Sequence, residues 1–211
     1  MKMILINASP RKNGNTAQLL KSAQKGALEA GAETEYVDLF DLTFTGCRSC
    51  LACKRKGMKR CHCYWKDDLS PLLDRIFEAD ALIIGCPVYF GDITASLQAL
   101  LERLQFCCMS YDDYSNYFTG HVKTGVILTM NAPESMYEAW YREAFTKRLR
   151  GLGYLNGGTQ ILPSCDTLQV DDYSKYNMGS FNESHKRRVH QTEFPRDLEK
   201  AYSFGKQLVS E

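Results

Sequence analysis

Hydrophobic positions along this chain alternate between two patterns. Short, continuous apolar runs are typical of strands that are buried on both faces of a parallel sheet. They predict strands near residues 3–7, 33–38, 81–86, 123–130 and 157–163. Between these runs, apolar residues recur at helical spacing and predict helices near residues 15–30, 69–79, 92–107, 134–151 and 196–209. Strands that alternate with helices favour a single doubly wound α/β domain over residues 1–211.

Two segments do not follow either pattern. Residues 44–68 are rich in cysteine, and residues 164–195 show neither the strand period nor the helix period. A connection as long as the second one is unusual in a compact domain. We therefore expect residues 164–195 to form a lid, an arm for oligomerisation or a disordered insertion.

The loop after the first strand has the composition of a phosphate-binding site. It reads NASPRKNGNT from Asn7, and its single glycine excludes both G-x-x-x-x-G-K-[ST] and G-x-G-x-x-G. A strand, a polar loop and a helix in this order direct backbone N–H groups and a helix N-terminus at one place. Hydroxyl, amide and guanidinium donors are added by Ser9, Thr16, Asn13, Asn15 and Arg11. The simpler alternative is an ordinary loop in which Asn15 or Thr16 caps the helix.

A second loop follows the apolar run at residues 81–84. It contains a proline, two aromatic residues and a glycine, in the order Pro87, Val88, Tyr89, Phe90 and Gly91. Ligands of open α/β sheets bind beyond the carboxyl ends of the strands. An aromatic loop beside a phosphate loop indicates a flat ring with a phosphate tail. The alternative is that both aromatic residues belong to the core.

Together the two loops, SPRKNGNT and CPVYFGDITASLQALLERL, resemble the flavodoxin-like flavoproteins. Within that group they resemble the NADPH-dependent FMN reductase and iron-sulfur flavoprotein branch. The resemblance implies a flavodoxin-like strand order of 2-1-3-4-5. It also implies that the first loop holds the FMN phosphate and that residues 87–91 lie along the flavin. A third loop, with Asn131 and Ala132, should follow the fourth strand, although relatives often have glycines there.

The net charge and the length of the apolar runs limit which compartment and which partners we expect. The 211 residues carry a formal net charge of +1, which favours neither nucleic acid nor a membrane surface as a partner. No apolar run approaches the ~20 residues of a membrane span. The first strand begins at residue 3, which leaves no room for a signal peptide. We therefore expect a cytoplasmic protein.

Five of the nine cysteines lie in residues 44–68, at Cys47, Cys50, Cys53, Cys61 and Cys63. In a cytoplasmic chain such a group indicates metal or redox chemistry before structural disulfides. The C-x2-C-x2-C spacing allows one loop to wrap an iron–sulfur cluster. Iron-sulfur flavoproteins carry a compact cysteine motif in the same connection. The favoured ligands of a [4Fe–4S] cluster are Cys47, Cys50, Cys53 and Cys61, with Cys63 as a substitute for the last.

Three other interpretations of the cysteines stay open. Zinc could bind Cys47, Cys50, Cys61 and Cys63, the thiols could form reversible disulfides, or they could hold no metal. The basic residues of this segment are either part of a solvated loop or offset thiolate charge and raise a cluster's reduction potential. The other four cysteines are expected to be core residues, at Cys86, Cys107, Cys108 and Cys165.

These observations favour an FMN oxidoreductase that passes electrons on through a cluster, with a small molecule or a protein as donor and acceptor. NAD(P)H is a candidate co-substrate. The sequence indicates no catalytic side chain, but Tyr89 and Asn131 are candidates for tuning the ring. The alternatives are a cluster-free NAD(P)H-dependent FMN or quinone reductase, a non-enzymatic electron carrier and a zinc-stabilised interaction module. The family resemblance implies a homodimer or homotetramer with the flavin near a subunit interface.

Overall fold

A five-stranded parallel sheet forms the centre of the molecule, with the strand order β2-β1-β3-β4-β5. The computed structural model describes residues 1–210. The strands are β1 (Lys2–Asn7), β2 (Glu33–Asp38), β3 (Ala81–Pro87), β4 (Val122–Thr129) and β5 (Asn156–Ser164). The predicted flavodoxin-like order and the five predicted strands are confirmed.

Helices cover both faces of the sheet. They are α1 (Asn15–Glu29), α2 (Leu69–Glu78), α3 (Ala95–Cys108), α4 (Glu134–Met136), α5 (Arg142–Arg148), α6 (Glu183–Thr192) and α7 (Phe194–Ser210). Within the described residues, no helix is both long enough and apolar enough to cross a membrane.

The alternating side chains of the strands build one core on each face of the sheet. In β1, Met3 and Leu5 pack on the face that α1 and α7 cover, whereas Ile4 and Ile6 pack on the face that α2 and α3 cover. This burial of both faces explains why β1 and β3 read as continuous apolar runs. On the first face α1 and α7 lie so close together that a Cβ added to Gly205 would lie 2.0 Å from the Ala23 carbonyl oxygen.

Two predicted helices differ from those observed. The helix predicted at 92–107 begins at Ala95, because Thr94 is extended and its Oγ1 accepts the Leu97 N–H at 3.4 Å as an N-cap. The helix predicted at 134–151 is observed as one uninterrupted helical stretch, but its type changes along its length. It consists of α4, a π-helical turn at Tyr137–Tyr141, α5 and a 3-10 segment at Leu149–Leu155, one directly after the other.

Residues 164–195 contain turns, a 3-10 turn at Tyr173–Lys175 and helix α6. Helix α6 was not foreseen because its buried residue is a lysine, Lys186, and it has no apolar stripe. The segment returns to the carboxyl edge of the sheet, where the Asn15 side-chain amide donates to the Leu168 carbonyl oxygen at 2.8 Å. It therefore covers part of that edge, as a lid would.

Candidate functional site

A cavity of about 350 Å³ opens at the carboxyl edge of β1, β3 and β4. We call it the edge cavity. The loops that follow these strands line it together with residues from the 164–195 segment. Its lining residues are Ser9, Arg11, Gly14, Asn15, Thr16, Pro87, Val88, Tyr89, Thr129, Met130, Asn131, Thr167 and Gln169. The fold thus brings the first loop, the second loop and Asn131 together, as a shared carboxyl edge requires.

Local hydrogen bonds shape the first loop. The Ser9 N–H donates to Asn7 Oδ1 at 3.1 Å, and the Arg11 N–H donates to Ser9 Oγ at 3.1 Å. Gly14 occupies the N-cap position of α1 and gives it no side-chain cap. The interpretation of Asn15 or Thr16 as the cap is therefore wrong, since both lie in the first helical turn. This helix end presents its N–H groups to the edge cavity without a competing cap.

The polar side chains of the first loop divide between two cavities. Thr16 is buried, and its Oγ1 lies 2.7 Å from Thr129 Oγ1. The Arg11 guanidinium lines the edge cavity and donates to the Gln169 carbonyl oxygen. Asn13 instead lines a neighbouring cavity of about 480 Å³, which Arg11 also borders. Arg11 thus stands between the two cavities and ties the first loop to the 164–195 segment.

Only the first part of the second loop lines the edge cavity. Pro87, Val88 and Tyr89 line the edge cavity. Phe90 is fully exposed and has a φ of 52°, while Gly91 has a φ of 80°. These two residues form the tip of a tight turn, closed by the Tyr89 N–H, which donates to the Asp92 carbonyl oxygen at 2.9 Å. They therefore shape the loop rather than line the cavity.

The third loop supplies a buried acceptor without a partner. Asn131 lines the edge cavity, and its Oδ1 is buried with no hydrogen-bond partner in the described residues. Ala132 is packed against the core and accepts the Asp166 N–H at its carbonyl oxygen, at 2.8 Å. An unsatisfied buried acceptor costs about 1–3 kcal/mol. Because Oδ1 itself has almost no accessible surface, the Asn131 side chain must turn toward the cavity before a ligand N–H can recover this cost.

The backbone of Asn131 is held from the 164–195 segment. Lys186 is buried, and its Nζ donates to the Asn131 carbonyl oxygen at 2.7 Å and to Asp166. Burial opposes ionisation of Asp166, but hydrogen bonds from Lys186 and His185 hold its pKa below the usual value. No sequence motif predicted this contact, because Lys186 lies in a charged run that is far from the third loop in sequence.

The cysteine-rich segment folds against the end of α3. Arg103 is buried there, and five cysteines line one small cavity of about 20 Å³, which we call the cysteine cavity. The five are Cys47, Cys50, Cys53, Cys63 and Cys107. Cys107 and Cys108 are buried, as predicted, but they also contact the cysteine-rich segment. Cys86 is a core residue as predicted, whereas Cys165 is only partly buried.

The pKa values of two of these cysteines, Cys53 and Cys63, are lowered. The pKa of Cys63 falls to about 5, chiefly because the Cys107 thiol stabilises the Cys63 thiolate. Burial opposes this shift, whereas the Trp65 backbone and the Arg103 guanidinium add to it. The same Cys107 thiol lowers the pKa of Cys53 to about 7. Correspondingly, donation to these thiolates raises the pKa of Cys107.

Cys61 lies apart from that group. It does not line the cysteine cavity, and it pairs with Cys108, whose thiol lowers the Cys61 pKa. Cys61 also has a φ of 51°, in the left-handed region. Within residues 1–210, no three His, Cys, Asp or Glu side chains are already arranged to hold a metal ion. Metal binding therefore requires the cysteine side chains to move together.

Comparison with known proteins identifies the family. Residues 1–132 match the model of the family described as NADPH-dependent FMN reductase. The chain belongs to this family. Over 103 residues it is 41% identical to an iron-sulfur flavoprotein of Methanocaldococcus jannaschii, a match that covers 49% of this chain and 51% of that protein. The chain thus spans about half the length of this relative.

Solved structures share the fold over nearly the whole chain. An NAD(P)H:quinone oxidoreductase from Methanothermobacter marburgensis has a TM-score of 0.67 at 18% identity, covering 99% of this chain and 96% of that chain. An FMN-dependent NADH-azoreductase from Bacillus anthracis, solved in complex with FMN, has a TM-score of 0.65 at 14% identity. That match covers 100% of this chain and 98% of the other. At these identities the likeness establishes the flavodoxin-like fold.

Proposed function

We propose that this protein is an FMN-dependent oxidoreductase that binds FMN in the edge cavity. The observation that carries the proposal is the set of groups this cavity brings together. An uncapped helix N-terminus and the first loop supply donors for a phosphate, and Asn131 Oδ1 is a buried acceptor without a partner. FMN carries a phosphate at one end and a ring with an imide N–H at the other. The donor and acceptor chemistry of the cavity therefore fits FMN.

The residues divide by the part of FMN they would hold. The phosphate would bind to Ser9, Arg11, Asn15, Thr16 and the first N–H groups of α1. The ring would lie beside Pro87, Val88 and Tyr89, with its imide N–H toward Asn131. Asn13, Phe90, Gly91 and Ala132, also expected from the sequence to contact FMN, do not line the edge cavity, so we assign them to shaping the loops.

FMN, when bound, would supply the redox chemistry. The chain's own contribution is binding, orientation and control of solvent. Residues 87–89 and the 164–195 segment enclose the cavity, and Lys186 fixes the third loop. We propose no side chain as a proton donor. NAD(P)H is the proposed donor, as the family description and the names of the structural neighbours support.

We further propose that the cysteine-rich segment holds a [4Fe–4S] cluster through Cys47, Cys50, Cys53 and a fourth cysteine, Cys61 or Cys63. The names of the iron-sulfur flavoprotein relatives support this proposal. The donor set fits, since thiolates are the ligands of such clusters. The cysteine cavity has room for about one water-sized atom, so the segment must move outward to admit a cluster. Cys50 is exposed, but Cys53 is buried and Cys61 and Cys63 pack against the core, so this movement must break existing contacts.

The second candidate function is a cluster-free FMN or quinone reductase of the same fold, and the small cysteine cavity favours it. Anaerobic reconstitution with iron and sulfide separates the two candidates. We expect the wild type to take up iron and sulfide, and Cys50→Ala to lose both while it keeps FMN. If the wild type takes up neither, the cluster-free reductase is the correct function. Zinc bound in place of iron would indicate a structural site.

The FMN proposal is tested by titrating the flavin-free protein with FMN and with riboflavin. Arg11→Ala should weaken FMN by about 1.5–3 kcal/mol, the range for a hydrogen bond to a charged group, and leave riboflavin unchanged. Lys12→Ala is the matched control, because the Lys12 side chain instead pairs with Asp41 at 2.6 Å. Equal weakening of both ligands by Arg11→Ala would contradict the phosphate assignment.

The remaining parts of the proposal concern location and assembly. We propose a cytoplasmic homodimer or homotetramer that uses no nucleic acid or membrane partner. Exposed aromatic side chains near the second loop, Tyr89, Phe90 and Trp140, support an apolar partner there. Light scattering of wild type and of Phe90→Ser tests the assembly, which the substitution should weaken.

A further inference from the structure

The neighbouring cavity of about 480 Å³ is not used by the proposed function, and we call it the side cavity. Its volume lies in the range of roughly 300–1,000 Å³ that is typical of small-molecule sites. The side cavity and the edge cavity are both lined by Arg11, Gly14, Asn15 and Gln169. The first three belong to the first loop and the start of α1, where the FMN phosphate is proposed to bind. The side cavity therefore begins at the proposed phosphate site.

Arg11 lies at the junction of the two cavities. A guanidinium has five N–H donors, and the Arg11 guanidinium uses one nitrogen, Nη1, to donate to the Gln169 carbonyl oxygen. Its other N–H groups have no protein acceptor within residues 1–210, so they are available to an anion at the junction. A phosphate held there borders both cavities. A group esterified to that phosphate, on the side away from the flavin, would enter the side cavity.

The other residues of the side cavity have the chemistry that recognises a nucleoside. The Asp171 carboxylate is exposed and accepts no hydrogen bond within the described residues, and acidic side chains bind ribose hydroxyls in nucleotide sites. Tyr176 has an exposed ring, and a base can stack on such a ring. Asn13 and Gln18 add amide groups that can pair with the edge of a base.

His190 also lines the side cavity, and one of its ring nitrogens has no hydrogen-bond partner. The ring stacks on Phe194, with the two ring centroids 5.1 Å apart, and Nδ1 is buried and unpaired within the described residues. An unpaired buried nitrogen is costly. Because Nδ1 is covered, the imidazole must turn before a ligand N–H can reach it. An amino group on a bound base would then recover part of this cost.

We propose, on the basis of the flavin site proposed above, that this protein also binds FAD, whose adenosine monophosphate half occupies the side cavity. The flavin ring would lie beside Tyr89, as in FMN, and the pyrophosphate would lie at Arg11. The ribose and the base would face Asp171 and Tyr176. The structure thus extends the flavin site by one nucleotide beyond the phosphate of FMN.

The adenosine half of NAD(P)H is the other nucleoside available to such an enzyme. The nicotinamide of that donor must reach the flavin ring, which is assigned to Pro87, Val88, Tyr89 and Asn131. None of these four residues lines the side cavity. The side cavity meets the edge cavity at the phosphate instead, and this placement favours FAD.

Calorimetric titration of the flavin-free protein with FMN and with FAD tests the proposal. FAD should bind the wild type at least tenfold more tightly than FMN. Tyr176→Ala should weaken FAD at least fivefold, the lower limit for the loss of one stacked base, and leave FMN unchanged. Tyr114→Ala is the matched control, because Tyr114 is also exposed but lines neither cavity. It should change neither affinity.

A blocking variant tests the same site without removing a contact. Gln18 is exposed on α1 and borders the side cavity but not the edge cavity. Gln18→Trp should fill the side cavity, so FAD should bind no more tightly than FMN, while FMN affinity stays at the wild-type value. Lys25→Trp is the matched control, because Lys25 is exposed on the same helix and lines neither cavity.

The outcomes separate this proposal from the flavin site on which it rests. If the wild type binds neither FMN nor FAD, the flavin site itself is wrong. If it binds FMN but FAD binds no more tightly, or if both variants keep wild-type FAD affinity, only the FAD proposal is overturned. A raised KM for NAD(P)H with unchanged FAD affinity would assign the side cavity to the donor and also overturn it. If one variant loses FMN as well, it is misfolded and the other variant decides.

Discussion

Replacing Asn131 with leucine should lower flavin affinity without lowering the stability of the flavin-free protein. Asn131 Oδ1 is buried and has no partner, which costs about 1–3 kcal/mol until a ligand donor reaches it. Leucine has a similar size and removes the unsatisfied oxygen. Flavin-free Asn131→Leu should therefore unfold in urea with a free energy equal to or above that of the wild type.

The same 1–3 kcal/mol should be missing from flavin binding. FMN affinity should fall roughly 5- to 150-fold in Asn131→Leu. Riboflavin should weaken by the same factor, because both flavins have the ring and its imide N–H. Quenching of flavin fluorescence during titration of the flavin-free protein measures both constants. This pattern differs from that of Arg11→Ala, which should affect FMN alone.

Asn116→Leu is the matched control, because it makes the same change at a satisfied amide. Asn116 Nδ2 donates to the Tyr154 carbonyl oxygen at 2.8 Å, and its Oδ1 accepts the Phe118 N–H at 2.9 Å. This variant should lose about 1–3 kcal/mol of stability and keep its flavin affinity. If Asn131→Leu behaves in the same way, the assignment of Asn131 to the flavin ring is wrong.

Three further predictions concern packing, loop shape and pH. Gly205→Ala should destabilise the protein by about 1–3 kcal/mol in urea unfolding, because its Cβ would lie 2.0 Å from the Ala23 carbonyl oxygen, whereas Gly153→Ala, with open space around it, should have little effect. Gly91→Val forces a branched residue to a φ of 80°, so flavin affinity should fall while the fold survives, and a variant that binds FMN like the wild type would contradict this. Asp166 has a lowered pKa in the folded state, so it stabilises the protein above its unfolded pKa and this contribution is lost as the pH falls through the folded value. The difference in unfolding free energy between wild type and Asp166→Asn should therefore shrink as the pH is lowered from about 5 toward 2, and a constant difference would refute it.

The sequence by itself determined the sheet and the loops at its edge. Continuous apolar runs such as residues 81–84 identify strands buried on both faces, because only such strands need no polar side. Parallel strands bring their carboxyl ends to one edge, so the loops with Arg11, Tyr89 and Asn131 had to meet there. The strands and the meeting of their loops could be predicted because they depend on residues that are close in sequence and on the parallel direction of the strands.

The tertiary structure alone decided which distant side chains meet. Lys186 lies in a charged helix without an apolar stripe, and only the fold shows that it holds the Asn131 backbone. No sequence pattern singled out Arg103, and only the fold shows that it is buried against Cys63. Such contacts depend on packing between elements that are far apart in sequence, and no local pattern records them.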